Sequence, residues 1–443
     1  MTIDLSKIKK VFFVGIGGIG ISAIARMMLL EGKEVSGSDM ADSQIVSELK
    51  SLGIKITIGQ DYEIIPTDVD LIVLTTAVAH YDPKLFKLIS NGSIPFRTYP
   101  QMLGLVTEGK YVIAVSGTHG KTTTTAMIAK VMIDCGYDPS VIVGSLMKES
   151  KSNLIVGKSN FFIVEACEYE RSFLNIKPTI LVITNIEADH LDYYKDITDI
   201  KNAFGELVSQ TKSAVIYNGE DVNAGAPVNG YKDRMVDYTK YLDKVSKLSV
   251  PGVHNRMNAA AVLAVADILN IKEANAMKSL SEFSGTWRRL ERKGKTKEGT
   301  IIYDDYAHHP TEIKASLQAL RELYPSNALA TPGKPAKRIT VLFQPHLYSR
   351  TKAFFDEFTS SFDEADNVFL LPIYFAREDP DPSVSSEKLA DAIRMHRGEA
   401  VAFRDFTEAE EWVKKMDLGD RDVLVTMGAG EAFKVADEIF KLA

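Results

Sequence analysis

Twice in this chain an apolar run of strand length ends on a glycine-rich turn that opens an amphipathic helix, and this repeated junction limits the fold more than any other feature. The first is VFFVGIGGIG from Val11, followed by a helical pattern over 19–30 that closes at Gly32. The second is YVIAVSGTHGKTTTT from Tyr111, followed by a helix over 121–134 with Met127, Ile128, Val131 and Met132 on one face and Gly136 at its end. A strand that is apolar throughout is buried on both faces, which calls for a parallel sheet covered by helices on both sides.

The alternation continues along the chain. EVSGSD, SQIVSELKSLG and DLIVLTTAV extend the first βαβ series to about residue 105, and FFIVEA (161–166) and TILVITN (179–185) add buried strands to the second. NAAAVLAVADIL (258–269) reads as a helix, and the charged RRLERKGKTKEG (288–299) reads as an interdomain linker. Beyond it the strands IIYDD, RITVLFQ, NVFLLPI and DVLVTMG alternate with helices, and ATPGKPAK (330–337) reads as a surface loop. A chain of 443 residues exceeds one ordinary core. The expectation is an α/β protein of three domains: Rossmann-like over 1–106, a central P-loop ATPase-like parallel sheet over 107–294, and a Rossmann-like α/β domain over 295–443.

Composition removes several classes. A net charge of -7 offers no basic face to a phosphodiester backbone, so no nucleic acid partner is expected. Cys135 and Cys167 are the only cysteines and have no metal-finger spacing, which fits a reducing compartment. The least polar stretch, from Val11 to Ala25, is broken by glycines and ended by Arg26, so no membrane partner is expected and a soluble cytoplasmic protein is. Nothing in the chain specifies an oligomeric state.

The two glycine turns carry chemistry. Gly15, Gly17, Gly18 and Gly20, with Asp39 about twenty residues on, make a cradle for a dinucleotide or any nucleotide diphosphate. Gly117-Thr118-His119-Gly120-Lys121-Thr122 makes a second, with Lys121 for β/γ-phosphate charge and the Thr122 hydroxyl for a divalent metal. It departs from GxxxxGK[ST] in having Val115 where the first glycine would stand. Two cradles call for two nucleotides, or a nucleotide sugar and a triphosphate; an NAD-dependent oxidoreductase, the rival of a different class, needs only the first. Glu165 and His190 follow neighbouring strands and so fall at the same carboxyl rim as the second turn, where they join Thr122 as candidate metal ligands. DDYAHHP (304–310) and QPHLYSR (344–350) also follow strands, and their cationisable side chains suit a carboxylate-bearing amino acid and a ribose.

In order, and over essentially the whole chain, the segments VFFVGIGGIGISAIA, SGTHGKTTTT, TNIEADHLDYY, GVHNRMNAAA, GTWRRLE, DDYAHHPTEI, FQPHLYSRT, IYFAREDP and TMGAGE resemble the Mur ligase family. The short GTHGKT turn is similar to that family's ATP-binding form. The resemblance implies an ATP-dependent carboxylate–amine ligase that joins L-alanine to the lactyl carboxylate of UDP-N-acetylmuramate through an acyl phosphate, in peptidoglycan precursor synthesis. The implied cofactors are ATP and Mg²⁺, with Mn²⁺ as a substitute. A ligase of the same family that recycles murein peptides is the alternative.

The resemblance also implies roles residue by residue. ATP contacts fall on Gly117, Thr118, His119, Gly120, Lys121, Thr122 and Thr123, with Asn255 and Asn258 at the adenine and Asp305 near the ribose. Lys121, Glu165 and His190 are the implied catalytic group, and Thr122, Glu165 and His190 the implied metal ligands. Gly17, Gly18, Gly20, Ser38 and Asp39 would hold the uridine nucleotide, and Tyr306, His308, His346 and Arg350 would position alanine. Three positions depart from patterns common in the family: Leu347 stands in place of an Arg, Cys167 in place of an Asp, and Phe204 where branches adding other amino acids carry a carbamylated lysine.

Overall fold

The computed structural model describes residues 3–59, 61–326, 337–376 and 378–441, so the loop expected at 330–337 lies, apart from Lys337, outside the described residues. The chain is α/β, and among the described residues its strands form three sheets. Two compact units contain them: Met1–Asp189, Tyr193–Lys244 and Ala259–Leu280 make the first, and His190–Asp192, Val245–Asn258 and Ser281–Ala443 the second.

Within the first unit, one sheet is wholly parallel, in the order Lys55–Ile58, Glu34–Asp39, Lys10–Val14, Leu71–Leu74, Phe96–Thr98. Chain direction across the sheet reverses at Lys10–Val14, which places the turn Gly15–Gly18 at a topological switch point. The other sheet of this unit runs Met235–Asp237, Ala214–Tyr217, Ile180–Ile183, Tyr111–Ser116, Phe161–Glu165, Ser140–Met147, Ser152–Ile155, parallel except at the last strand. Tyr111–Ser116 is central and flanked by Phe161–Glu165 and Ile180–Ile183, so the second glycine turn also leaves a switch point.

The two sheets are tied together. The helix Ile19–Leu30 meets the hairpin of Ser140–Met147 and Ser152–Ile155. There Arg26 donates to the Asn153 amide oxygen at 2.7 Å and to Glu48 at 3.0 Å, while the Asn153 amide donates to the carbonyl of Ile19. One apolar core continues through both, from Val11 and Phe13 to Phe173 and Phe204. Phe204 is fully buried with its ring edge-on to Phe173, centroids 5.1 Å apart, so this position is filled by core packing.

The second unit holds a sheet ordered Glu291–Lys295, Ile301–Asp305, Asp422–Met427, Arg338–Phe343, Asn367–Leu370, Ala400–Ala402, parallel except at its first strand. That first strand corrects the linker expected at 288–299. Glu291–Lys295 pairs antiparallel with Ile301–Asp305, with a bulge between Arg292 and Gly294. Charged residues are compatible with this placement because an edge strand keeps one side in water, and Lys293 reaches Asp437 at 2.8 Å. The helix expected at 258–269 is Val253–Ile268, so HNRMN belongs to its opening turns.

Candidate active site

The second glycine turn is shaped by its neighbours. Gly117 has φ +129°, and a Cβ there would lie 2.1 Å from the Thr184 hydroxyl oxygen, so only glycine fits. Asn185 straps the loop: its backbone carbonyl accepts from Thr118 N–H at 3.0 Å, its side-chain oxygen accepts from His119 N–H at 2.9 Å, and its side-chain N–H donates to the His119 carbonyl at 3.1 Å. Gly120, at φ +80°, then opens the helix Lys121–Asp134 with no side-chain cap. A strand-to-helix turn of this form presents N–H groups and the positive end of a helix dipole to an anion.

Lys121 bends back over the loop. Its ammonium donates to the carbonyls of Gly117 at 2.6 Å and Thr118 at 2.9 Å, and to the buried Glu168 carboxylate at 3.0 Å. Burial opposes the charge, but Glu168 outweighs it, with Glu165 acting in the same sense, and the lysine pKa is raised. Next to it the Thr122 hydroxyl donates to Glu165 Oε1 at 3.0 Å, while Glu165 Oε2 accepts from Gly144 N–H at 2.7 Å. A hydroxyl and a carboxylate at this spacing are hard oxygen donors suited to Mg²⁺ or Mn²⁺. Lys121, Thr122 and Glu165 therefore lie together around this turn. Glu168 and Gly144 were missed by sequence reasoning, and only the EACE spacing hinted at the former. Cys167 is an exposed free thiol. His190 lies in the turn after Ile180–Ile183 with φ +53°, a left-handed conformation unusual for a side-chain-bearing residue.

At the first glycine turn, Asp39 Oδ2 accepts from Gly17 N–H at 2.8 Å, so the acid braces the loop. Ser38 is buried and its carbonyl accepts from Gly15 and Ile16 N–H at 2.8 and 3.1 Å. Gly18 is the N-cap of Ile19–Leu30, again without a side-chain cap. A Cβ on Gly20 would lie 2.6 Å from the Tyr99 ring, so the bare glycine admits that ring against the helix.

The second unit gathers the residues expected to grip an amino acid. The rings of Tyr306 and His308 meet edge-on at 5.4 Å, and those of His308 and His346 at 5.8 Å. Buried Arg350 donates to His346 Nδ1 at 3.1 Å. Tyr374, missed at the sequence level, stacks on His346 with centroids 5.6 Å apart at 16°. Leu347 adopts φ +71° and is buried, its N–H donating to the Tyr374 carbonyl at 2.9 Å. Asp305, at the end of Ile301–Asp305, accepts from the Ser316 hydroxyl and, at 3.2 Å, from Ala307 N–H; burial pushes its pKa up to about 6. Asn255 and Asn258 are buried on the opening turns of Val253–Ile268, 3.4 Å apart through their side chains. Arg288, in the GTWRRLE segment, is buried and pairs with Asp304 at 2.8 Å while donating to the carbonyls of Gly428 and Gly430.

Two glycine turns at the switch points of parallel sheets, a helix-opening lysine and a hydroxyl–carboxylate pair define an α/β enzyme that works on nucleotide phosphates. Comparison with known proteins makes that class specific. The models described as Mur ligase family, catalytic domain; Mur ligase middle domain; and Mur ligase, glutamate ligase domain match residues 10–111, 115–244 and 288–430. The chain belongs to the Mur ligase family. It is 40% identical to the UDP-N-acetylmuramate–L-alanine ligase of Clostridium kluyveri and 39% identical to that of Agathobacter rectalis, each over 99% of both chains. The solved UDP-N-acetylmuramate–alanine ligase of Thermotoga maritima superposes with a TM-score of 0.79 at 27% identity over 98% of each chain. A murein peptide ligase from Psychrobacter arcticus, at 20% identity and a TM-score of 0.69, shares the fold.

Proposed function

We propose that the chain is an ATP-dependent ligase that forms the amide between L-alanine and the lactyl carboxylate of UDP-N-acetylmuramate, a step of peptidoglycan precursor synthesis carried out in the cytoplasm. Full-length identity of 40% to a ligase of that name supports the assignment. The observation that carries the chemistry is the convergence of Lys121, Thr122 and Glu165 on one glycine turn.

A carboxylate resists attack by an amine at neutral pH. Transfer of the γ-phosphoryl group of ATP to it creates an acyl phosphate, whose phosphate is a competent leaving group. The residues of the turn 117–123 cradle the phosphates, and Lys121 offsets charge on the transferring group. Thr122 and Glu165, with His190, would hold Mg²⁺ or Mn²⁺; when bound, the ion neutralises phosphate charge and orients the oxygens. Asn255 and Asn258 serve the adenine and Asp305 the ribose. The turn at Gly17, Gly18 and Gly20, with Ser38 and Asp39, serves the uridine diphosphate. Tyr306, His308, His346 and Arg350 orient alanine, with the Arg350 guanidinium as partner for its carboxylate. These tasks fall to the domains expected over 1–106, 107–294 and 295–443.

Phosphate release tests the reading, with the protein incubated in ATP, Mg²⁺, UDP-N-acetylmuramate and one amino acid at a time. Release that depends on alanine is the expected result. Release with a murein peptide and with no single amino acid would assign the recycling activity instead.

A further inference from the structure

His308 and His346 are neighbours, yet their hydrogen-bond partners assign them opposite tautomers. His308 Nδ1 lies 3.0 Å from the Tyr306 carbonyl oxygen and 3.3 Å from a carboxylate oxygen of Glu312. Both partners only accept, so Nδ1 carries the proton and, in the neutral ring, Nε2 carries the lone pair. His346 Nδ1 lies 3.1 Å from Nη1 of Arg350. A guanidinium only donates, so here Nδ1 carries the lone pair and Nε2–H is the donor. A carboxylate thus stands beside the His308 ring and a guanidinium beside the His346 ring.

From this pairing we propose that His308 is a catalytic residue: its Nε2 takes the proton that the incoming amine must lose, while His346 remains neutral and donates a hydrogen bond through Nε2. The inference deepens the ligase reading and rests on it. Alanine arrives as an ammonium with no lone pair on nitrogen. One proton passes to His308 Nε2, and the freed lone pair forms the C–N bond to the acyl-phosphate carbonyl carbon. The C–O bond to phosphate breaks with its electron pair on phosphate, and a second proton from nitrogen leaves with that phosphate.

Glu312 is a positioning residue. Besides facing His308 Nδ1, it accepts from the backbone N–H groups of His308 and His309 at 3.0 and 3.3 Å, which fixes the loop that carries the ring. Other charged or titratable groups around the pair include Tyr306, whose ring lies 5.1 Å from both the Arg288 and the Arg289 guanidinium; Arg289 itself, 3.8 Å from Glu312; Tyr374, stacked on His346; and His254 and Asp305, both within electrostatic reach of Glu312.

The test is the pH dependence of alanine-dependent phosphate release for the wild type and for His308→Gln, His346→Gln and Glu312→Gln, with ATP binding and thermal unfolding of each variant followed in parallel. His308→Gln is expected to lower kcat/KM for alanine by about 10²–10⁴ near neutrality. Its rate should then climb about tenfold per pH unit as solvent supplies free amine. His346→Gln should keep the wild-type profile and raise KM for alanine. Glu312→Gln should move the acidic limb to lower pH, because a neutral neighbour makes His308 less basic. A His308→Gln enzyme that works at the wild-type rate near neutrality, or whose deficit is the same at every pH, overturns the proposal. If that variant does not fold, an unmoved acidic limb in Glu312→Gln overturns it. A wild type that releases no alanine-dependent phosphate removes the ligase reading itself, a result distinct from both.

Discussion

Gly144→Ala isolates the placement of one carboxylate. Gly144 sits in Ser140–Met147 outside the left-handed region, so its backbone accepts alanine. The new Cβ would nonetheless fall 2.7 Å from both oxygens of Glu165. Ordinary contact begins near 3.4 Å, so the carboxylate must retreat by about 0.7 Å or rotate away from the Thr122 hydroxyl that it accepts from at 3.0 Å. Displacement on this scale lowers catalysis by about 10–100-fold, since about 1 Å of misplacement costs roughly 10². Native stability should move by no more than about 1–2 kcal/mol, because no apolar contact is lost and the alanine narrows the unfolded ensemble. Steady-state kinetics at varied Mg²⁺, beside a denaturation curve, separates the two effects. A folded Gly144→Ala enzyme with unchanged kcat/KM and unchanged Mg²⁺ dependence would show that Glu165 need not stand where it does.

Gly205→Ala is the matched control: nothing lies within 4 Å of its Cβ, so this helix-interior change should raise stability by about 0.5–1 kcal/mol with turnover unaltered, as read by denaturant midpoint and phosphate release. Lys121→Ala should abolish turnover and also cost up to about 3 kcal/mol, because it strands the buried Glu168 carboxylate; adding Glu168→Gln should restore the stability and not the activity. Asp305 and His254 oppose one another in pH. Burial raises the Asp305 pKa from 3.8 to about 6, so its contribution to stability falls by about 3 kcal/mol as pH rises across that window. Burial lowers the His254 pKa from 6.5 to about 4, so its contribution falls by about 3 kcal/mol as pH drops across that window. Asp305→Asn should therefore expose a loss of stability on acidification and His254→Gln a loss on alkalinisation; denaturant midpoints between pH 4 and 7 that stay flat in both variants would refute the pairing.

Elements with strong local signals were legible in the chain. The helices Ile19–Leu30 and Lys121–Asp134 lie where periodicity and glycine stops place them, and the order of buried strands follows their apolar runs. What escaped was decided by partners distant in sequence. Glu291–Lys295 has the composition of a loop and becomes a strand because Ile301–Asp305 offers it an edge. Gly144 looks like any strand glycine until Glu165 folds against it from twenty-one residues away. The cluster of Tyr306, His308, His346 and Arg350 was visible as two polar loops after strands, but Tyr374 joins it through a parallel bridge to His346 that no local pattern announces. Motif resemblance supplied roles; it could not supply the tautomers, which depend on the partners at each ring nitrogen.

Asn153 and Arg26 have a consequence for how two substrates are brought into register. The helix that opens at the first glycine turn is pinned, through its own Ile19 carbonyl, to the hairpin containing Gly144, the residue that steadies the carboxylate beside the second turn. The two glycine turns of the first unit thus share one frame. If the first turn holds the nucleotide sugar, as proposed above, the distance from that turn to the second is set by this frame.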